Sequence, residues 1–155
     1  MNKPQVLGSS SENDFKAYFF RHYVRRVVMA CRCGVLVRVM FYEQSWTHTF
    51  WHDGESFDLY RAERLPWILE VLQRPEEIRV DREPKREAYL LTENKWGEYF
   101  VVIVEATKRH DCWRFITAYP LDLRGYLIMR CYPDVCSKKE EARGSFRKAL
   151  AKPRQ

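Results

Sequence analysis

The chain has 155 residues, of which 46% are hydrophobic and 15% aromatic, a content that excludes wholesale disorder and fits one folded domain with a sizeable core. The formal charge of +6 is unevenly spread: from Lys138 to Gln155 seven basic residues stand against Glu140 and Glu141, so residues 1–137 are close to neutral. No apolar run approaches the roughly 20 residues that cross a bilayer. The N-terminus runs from Met1-Asn2-Lys3-Pro4-Gln5 into Ser9-Ser10-Ser11 rather than into an apolar signal core, so a cytoplasmic protein is expected.

Five cysteines without an export signal are expected to be reduced thiols rather than disulfides. Cys31 and Cys33, with Cys131 and Cys136, lack the two-residue gap of common zinc knuckles, and no metal or cofactor is expected.

In chain order, Ser11-Glu12-Asn13-Asp14 offers cap residues, and Phe15, Phe19, Tyr23, Val27 and Ala30 follow at helical spacing. The spacing predicts a first helix over Phe15 to Ala30, with Arg21, Arg25 and Arg32 as a basic stripe and Gly34 as its stop. Val35 to Tyr42 is β-branched and aromatic and reads as a strand. The polar, aromatic, His-bearing segment Glu43 to Ser56 reads as a loop. Leu65, Ile68, Leu69 and Leu72 predict a helix within Leu59 to Gln73, with Pro66 in a first turn and Arg74-Pro75 as its end. Four strands are expected next, at Glu77 to Asp81, Glu87 to Thr92, Glu98 to Thr107 and Trp113 to Tyr119, their short connections making antiparallel neighbours. Tyr126 to Arg130 would add a last strand, and Lys139 to Ala151 a short helix. The fold expected is α+β, with N-terminal helices followed by an antiparallel sheet of four to five strands. It would form a single domain over residues 1–137, with a basic C-terminal tail over 138–155.

No glycine-rich phosphate loop, Gly-x-Ser-x-Gly elbow or His-Glu-x-x-His helix is present, which removes the common nucleotide-hydrolysing, serine-hydrolase and zinc-protease chemistries. The cluster that remains is Trp46-Thr47-His48-Thr49-Phe50-Trp51-His52-Asp53, followed by Arg61 and Arg64. Two histidines beside arginines suit metal-free cleavage of RNA, in which a base takes the proton of the ribose 2′-OH and an acid protonates the departing 5′-oxygen. A basic side chain neutralises the developing phosphorane charge, and Thr or Tyr hydroxyls orient phosphate oxygens. The same histidines suit a hydrogen-bonded structural loop equally well. In the last strand, a two-residue period places Phe115, Thr117 and Tyr119 on one face and Ile116 and Ala118 on the other.

A strand, a loop with His48 and His52, a helix ending at Arg74-Pro75-Glu76-Glu77-Ile78, and a meander closing on Phe115-Ile116-Thr117-Ala118-Tyr119-Pro120 together resemble a ribonuclease superfamily. It is the phage-associated branch of the superfamily that includes barnase, EndoU, colicin nucleases and RelE. The resemblance spans roughly Val35 to Pro120. It implies a metal-independent endoribonuclease, toxin-like or carried on a mobile element, with RNA, an antitoxin or immunity protein and a second copy of the chain as partners. It puts the loop histidine on His48 with His52 as second candidate, the phosphate-contacting arginine on Arg61 or Arg64, and the last-strand hydroxyls on Thr117 and Tyr119. The sequence departs from the family's pattern in having no arginine between the histidines.

Lys138, Lys139, Arg143, Arg147 and Lys148 in the tail are the candidate sequence-independent contacts to nucleic acid. The rival reading is a catalytically silent nucleic-acid- or protein-binding module of a mobile element, with Trp46, Trp51, Trp96 and Trp113 as stacking or partner-surface residues. A third is a self-associating domain whose aromatic segment is an oligomer interface.

Overall fold

The computed structural model describes residues 5–8, 11–92 and 98–136. Among the described residues the fold is mixed α+β: five α-helices and a six-stranded sheet of order β1-β2-β8-β7-β6-β5, with a separate two-stranded ribbon β3-β4.

Helix α1 (Glu12–Phe19) starts on a capping box, in which the Ser11 side chain accepts from the Asp14 N–H and the Asp14 carboxylate accepts from the Ser11 N–H. Phe15, Phe19 and Tyr23 are buried at the expected four-residue steps, the last on a π-helical turn over Phe20–Val24. The helix does not continue to Ala30. From Val28 the β-branched and small residues form strand β1 (Val28–Arg32), paired with β2 (Val35–Met40). Gly34 is accordingly a hairpin residue and not a helix stop: Cys33 and Gly34 both take positive φ (53° and 81°), as a tight hairpin turn requires.

The segment expected to be a loop holds helix α2 (Gln44–Phe50) and the ribbon β3 (Trp51–His52) and β4 (Ser56–Phe57). The expected helix over Leu59 to Gln73 is two, α3 (Leu59–Glu63) and α4 (Leu65–Gln73), broken at Arg64 (φ −95°, ψ 15°). Pro66, which needs no N–H partner in a first turn, opens the second. The meander β5 (Glu77–Val80), β6 (Arg86–Leu91), β7 (Tyr99–Ala106) and β8 (Cys112–Leu121) is antiparallel as expected. The sheet as a whole is not, because β2 pairs in parallel with β8 through Arg38↔Cys112 to Met40↔Arg114.

Tyr126 to Arg130 is not a strand but part of helix α5 (Leu123–Arg130), capped by the Asp122 carboxylate accepting from the Gly125 N–H at 2.7 Å. Tyr126 stacks on Tyr99 at 4.5 Å and donates to Glu77 at 2.8 Å. The tail helix expected over Lys139 to Ala151 lies outside the described residues.

One face of the sheet buries Val39, Phe100, Val102, Val104 and Phe115 against α1, α2 and α4. Phe19 sits at the centre, with the rings of Tyr23, Trp46, Phe50, Phe41 and Phe115 between 5.8 and 6.3 Å from its own. The buried Tyr23 hydroxyl, whose pKa burial raises, donates to the Leu65 carbonyl and accepts from the Leu69 N–H, locking α4 to the first helix.

The sheet curls strongly enough for its edges to meet. Arg32 at the end of β1 reaches Glu87 on β6 in a two-pronged pair (2.6 and 2.8 Å). The segment after α5 joins the β5 edge through Val80 N–H to the Pro133 carbonyl at 2.9 Å. It then binds the β1–β2 turn covalently: Cys33 and Cys136 form a disulfide, contrary to the expectation of free thiols throughout, with Cα atoms 5.2 Å apart. Cys31, Cys112 and Cys131 are free.

The disulfide closes a loop of 103 residues, which in a chain-entropy account is worth about 4–5 kcal/mol against the unfolded chain. Cys33→Ser, Cys136→Ser and the double variant are therefore expected to lower the urea midpoint of the oxidised protein equally. Reductant should bring the wild type to the same value. An oxidised wild type no more stable than Cys33→Ser would contradict the closure.

Candidate functional site

Beyond Met40 and Arg114 the β2–β8 pairing ends, and α2 and α3 pack against β8 instead. The candidate site is built there.

Helix α2 turns Trp46, Thr49 and Phe50 into the core at three- and four-residue spacing. Trp46 packs 4.7 Å from Phe50 and 5.9 Å from Phe57, which fixes the rotation of the helix and leaves Gln44, Thr47 and His48 exposed on its outer side. Just after α2, the ribbon reverses over Asp53 (φ 52°) and Gly54 (φ 71°), residue types that accept left-handed backbone. This reversal brings His52 beside Asp58.

Asp58 organises the site. Its Oδ1 accepts from the Arg61 N–H at 2.9 Å and so caps α3, while its Oδ2 lies 2.8 Å from His52 Nε2 and 3.6 Å from Arg61 Nε. Arg61 is held from two further sides. Its Nη1 donates to the Thr49 carbonyl at 2.6 Å, and its guanidinium lies 5.5 Å from the centroid of the Tyr119 ring. Burial lowers the Arg61 pKa, a shift opposed by Asp58 and Tyr119. Burial raises the Tyr119 pKa and Asp81 adds to it, against a lowering contribution from Arg61, so the phenol stays protonated at neutral pH and can donate a hydrogen bond.

Thr47, His48, Trp51, His52 and Arg61 line a groove of about 520 Å³. A second concavity, of about 490 Å³, adjoins it and shares Gln44 and His48. Three of the six expected catalytic residues, His48, His52 and Arg61, thus line one groove, and a fourth, Tyr119, lies outside its lining with its ring against the Arg61 guanidinium.

The other two are not gathered in the same way. Arg64 is buried and ion-paired: Nη2 lies 2.7 Å from Glu98, Nη1 donates to the Tyr60 carbonyl at 2.9 Å, and its guanidinium carbon is 3.4 Å from the Tyr60 ring centroid. Thr117 is half-buried and does not line either concavity. It does share a face with Tyr119, but Phe115 does not, contrary to the two-residue period. A bulge at Ile116 shifts the register so that Ile103 opposes Thr117 while Val104 opposes Phe115, sending Phe115 into the core.

Of the tryptophans, Trp46 is buried and serves the core, Trp51 borders the groove, and Trp113 lies under Arg32 at 5.1 Å. Trp96 and the tail residues Lys138, Lys139, Arg143, Arg147 and Lys148 lie outside the described residues. Sequence reading missed Asp58, although its place three residues before Arg61 at a helix start is a cap signature. Among the described residues no three His, Cys, Asp or Glu side chains are grouped to hold a metal ion, and no helix is long and apolar enough to cross a membrane. Compared with protein families, curated proteins and solved structures, the chain matches none.

Asp58→Ala removes the cap and the shared carboxylate together, and is expected to cost about 1–2 kcal/mol in urea unfolding. Asp58→Asn keeps an acceptor for the Arg61 N–H and should cost clearly less. Arg64→Ala leaves Glu98 partly buried without this partner and should cost more, about 3 kcal/mol. A near-neutral Arg64→Ala would refute its structural role.

Proposed function

We propose that the chain is an endoribonuclease-like protein that cleaves RNA without a metal, by attack of a ribose 2′-OH on the adjacent phosphate. The observation that supports this reading is the meeting of His48, His52 and Arg61 on one groove, with Tyr119 against the guanidinium. Imidazole is the side chain that changes charge near neutrality, so the pair can divide the base and acid roles. One histidine takes the 2′-OH proton as the new P–O2′ bond forms. The other gives a proton to the 5′-oxygen as the P–O5′ bond breaks. The products are a 2′,3′-cyclic phosphate and a 5′-hydroxyl. His52 has its Nε2 engaged by Asp58, a carboxylate that orients the ring and leaves Nδ1 for the substrate.

Arg61 meets the charge that grows on the phosphate, and the protonated Tyr119 donates to a non-bridging oxygen. Tethering by Asp58 and the Thr49 carbonyl means that the guanidinium needs little reorganisation when the phosphate arrives. Arg64 drops out of the catalytic set as a core ion pair, and Thr117 remains at its margin. The resemblance to the phage-associated ribonuclease branch accords with this chemistry. Under the same reading the protein acts in the cytoplasm as a toxin-like or mobile-element product, with an antitoxin as its natural restraint and the basic tail adding salt-sensitive phosphate contacts.

Mixed RNA incubated with the protein in excess chelator is expected to yield fragments with 2′,3′-cyclic phosphate ends. His48→Ala and His52→Ala should each slow cleavage by about 10²- to 10⁴-fold while keeping the wild-type melting temperature within a few degrees. His110→Ala, in the exposed β7–β8 turn, should change nothing. RNA that is bound but stays intact would overturn the enzymatic reading in favour of a silent binding module. Activity lost on chelation alone would overturn the metal-free mechanism.

A further inference from the structure

The concavity beside the groove is built differently from the groove itself. Its floor is the outer face of the sheet at the β8 bulge, where Ile116 is the extra residue, and its wall is the start of α2 with Tyr42 and Gln44. Tyr42 is 43% exposed, an aromatic ring presented to solvent immediately before the helix that carries His48. Across the floor, Arg86 on β6, Glu105 on β7 and Arg114 on β8 are register neighbours. Glu105 is ion-paired with Arg114, whereas the Arg86 guanidinium has no carboxylate partner among the described residues. The row therefore keeps a net positive charge beside an aromatic and aliphatic surface. A volume of about 490 Å³ falls in the usual range for small-molecule sites, about 300–1,000 Å³.

An exposed ring for stacking, an amide able to read a base edge and an uncompensated guanidinium are the parts with which proteins hold single-stranded nucleic acid. Gln44 and His48 belong to both concavities, so a strand whose phosphate lies at His48 runs on into this one.

We propose that this concavity is a subsite for the nucleotide next to the reacting phosphate, with its base stacked on Tyr42 and its far phosphate at Arg86. The inference rests on the RNA-cleaving reading for the position of the reacting phosphate. It adds that the substrate is single-stranded RNA at least one phosphate longer than the bond cut, because a base can reach the Tyr42 ring only when unstacked from its neighbours.

The test uses two probes with 2′-O-methyl riboses, which cannot be cleaved: a dinucleoside monophosphate and a tetranucleotide with three phosphates. Binding is followed by NMR titration of the wild type and of variants whose melting temperature matches it. Tyr42→Ala is expected to weaken both probes by roughly 5- to 100-fold, the usual range for a lost base stack, and Tyr42→Phe to restore them. Arg86→Ala should weaken only the tetranucleotide and lower its log–log salt slope by about 0.7, as for one lost single-strand phosphate contact. Arg86→Lys should recover most of that slope.

Tetranucleotide affinity unchanged in both Tyr42→Ala and Arg86→Ala would overturn the subsite, whether or not the protein cleaves RNA. So would a wild type that binds neither probe. Binding with this pattern by a protein that leaves natural RNA intact would sustain the subsite while overturning the cleavage chemistry, so the two failures are distinguishable.

Discussion

The curl of the sheet is the constraint from which the site follows. Arg32 and Glu87 belong to strands four places apart in the sheet order, yet they form a two-pronged ion pair, with Glu87 only 7% exposed. Two largely desolvated charges are stable only when each has its partner, so the pair strongly penalises any flatter sheet. With the edges drawn together, β2 follows β8 for three residues and then leaves it. The space that opens along β8 is filled by α2 and α3, the elements that carry His48 and Arg61. The groove is thus a consequence of closing a six-stranded sheet around an aromatic core. In an oxidising compartment the Cys33–Cys136 bond adds a covalent tie to that closure. In a reducing one the Arg32–Glu87 ion pair remains to hold the edges.

The sequence made much of the fold legible, and what it hid has identifiable causes. The meander was readable because β6, β7 and β8 carry runs of β-branched, aromatic and other apolar residues bounded by turn residues. Phe15, Phe19 and Tyr23 truly share a helical face, but the same four-residue step carried the reading past Val27, which is 66% exposed, into a strand where Ala30 is buried by a different period. Helix α2 was hidden because it has only two turns, and its inward set Trp46, Thr49 and Phe50 is interrupted by polar and histidine residues that suggest a loop. The Tyr126 to Arg130 run is short and apolar, for which helix and strand are indistinguishable by periodicity; the deciding signal is the Asp122 cap before it. The disulfide joins residues 103 apart, and nothing local announces such a pairing.

At the candidate site the residue types were legible and the choice between equivalents was not. Arg61 and Arg64 are three residues apart and chemically identical, yet one lies against Tyr119 while the other is sealed by Glu98 and Tyr60. What separates them is the break between α3 and α4, where Arg64 is the junction residue and its side chain is taken into the core. Similarly, Thr117 and Tyr119 face away from Phe115 only because the bulge at Ile116 absorbs one residue first. A strictly alternating strand that buried Phe115 would bury both of them as well. A bulge beside a site re-aims side chains in this way, at the cost of local ladder hydrogen bonds.

The Asp58 carboxylate shows why folding and the proposed chemistry are difficult to separate here. One oxygen starts α3 by accepting from the Arg61 backbone, and the other is shared between His52 and the Arg61 guanidinium. A carboxylate shared between an imidazole and a guanidinium 3.6 Å away does not neutralise the guanidinium completely, so part of the Arg61 charge stays available to an anion in the groove. The same division keeps a partly buried guanidinium from being an unpaired charge, whose burial would be costly. A full ion pair would satisfy the fold and leave less for a phosphate, and no carboxylate would leave Arg61 held by the Thr49 carbonyl and the Tyr119 ring without a counter-charge. Under the proposed mechanism, a phosphate in the groove takes up the share of Arg61 that Asp58 leaves unpaired, so a guanidinium already held in place meets the negative charge as it develops.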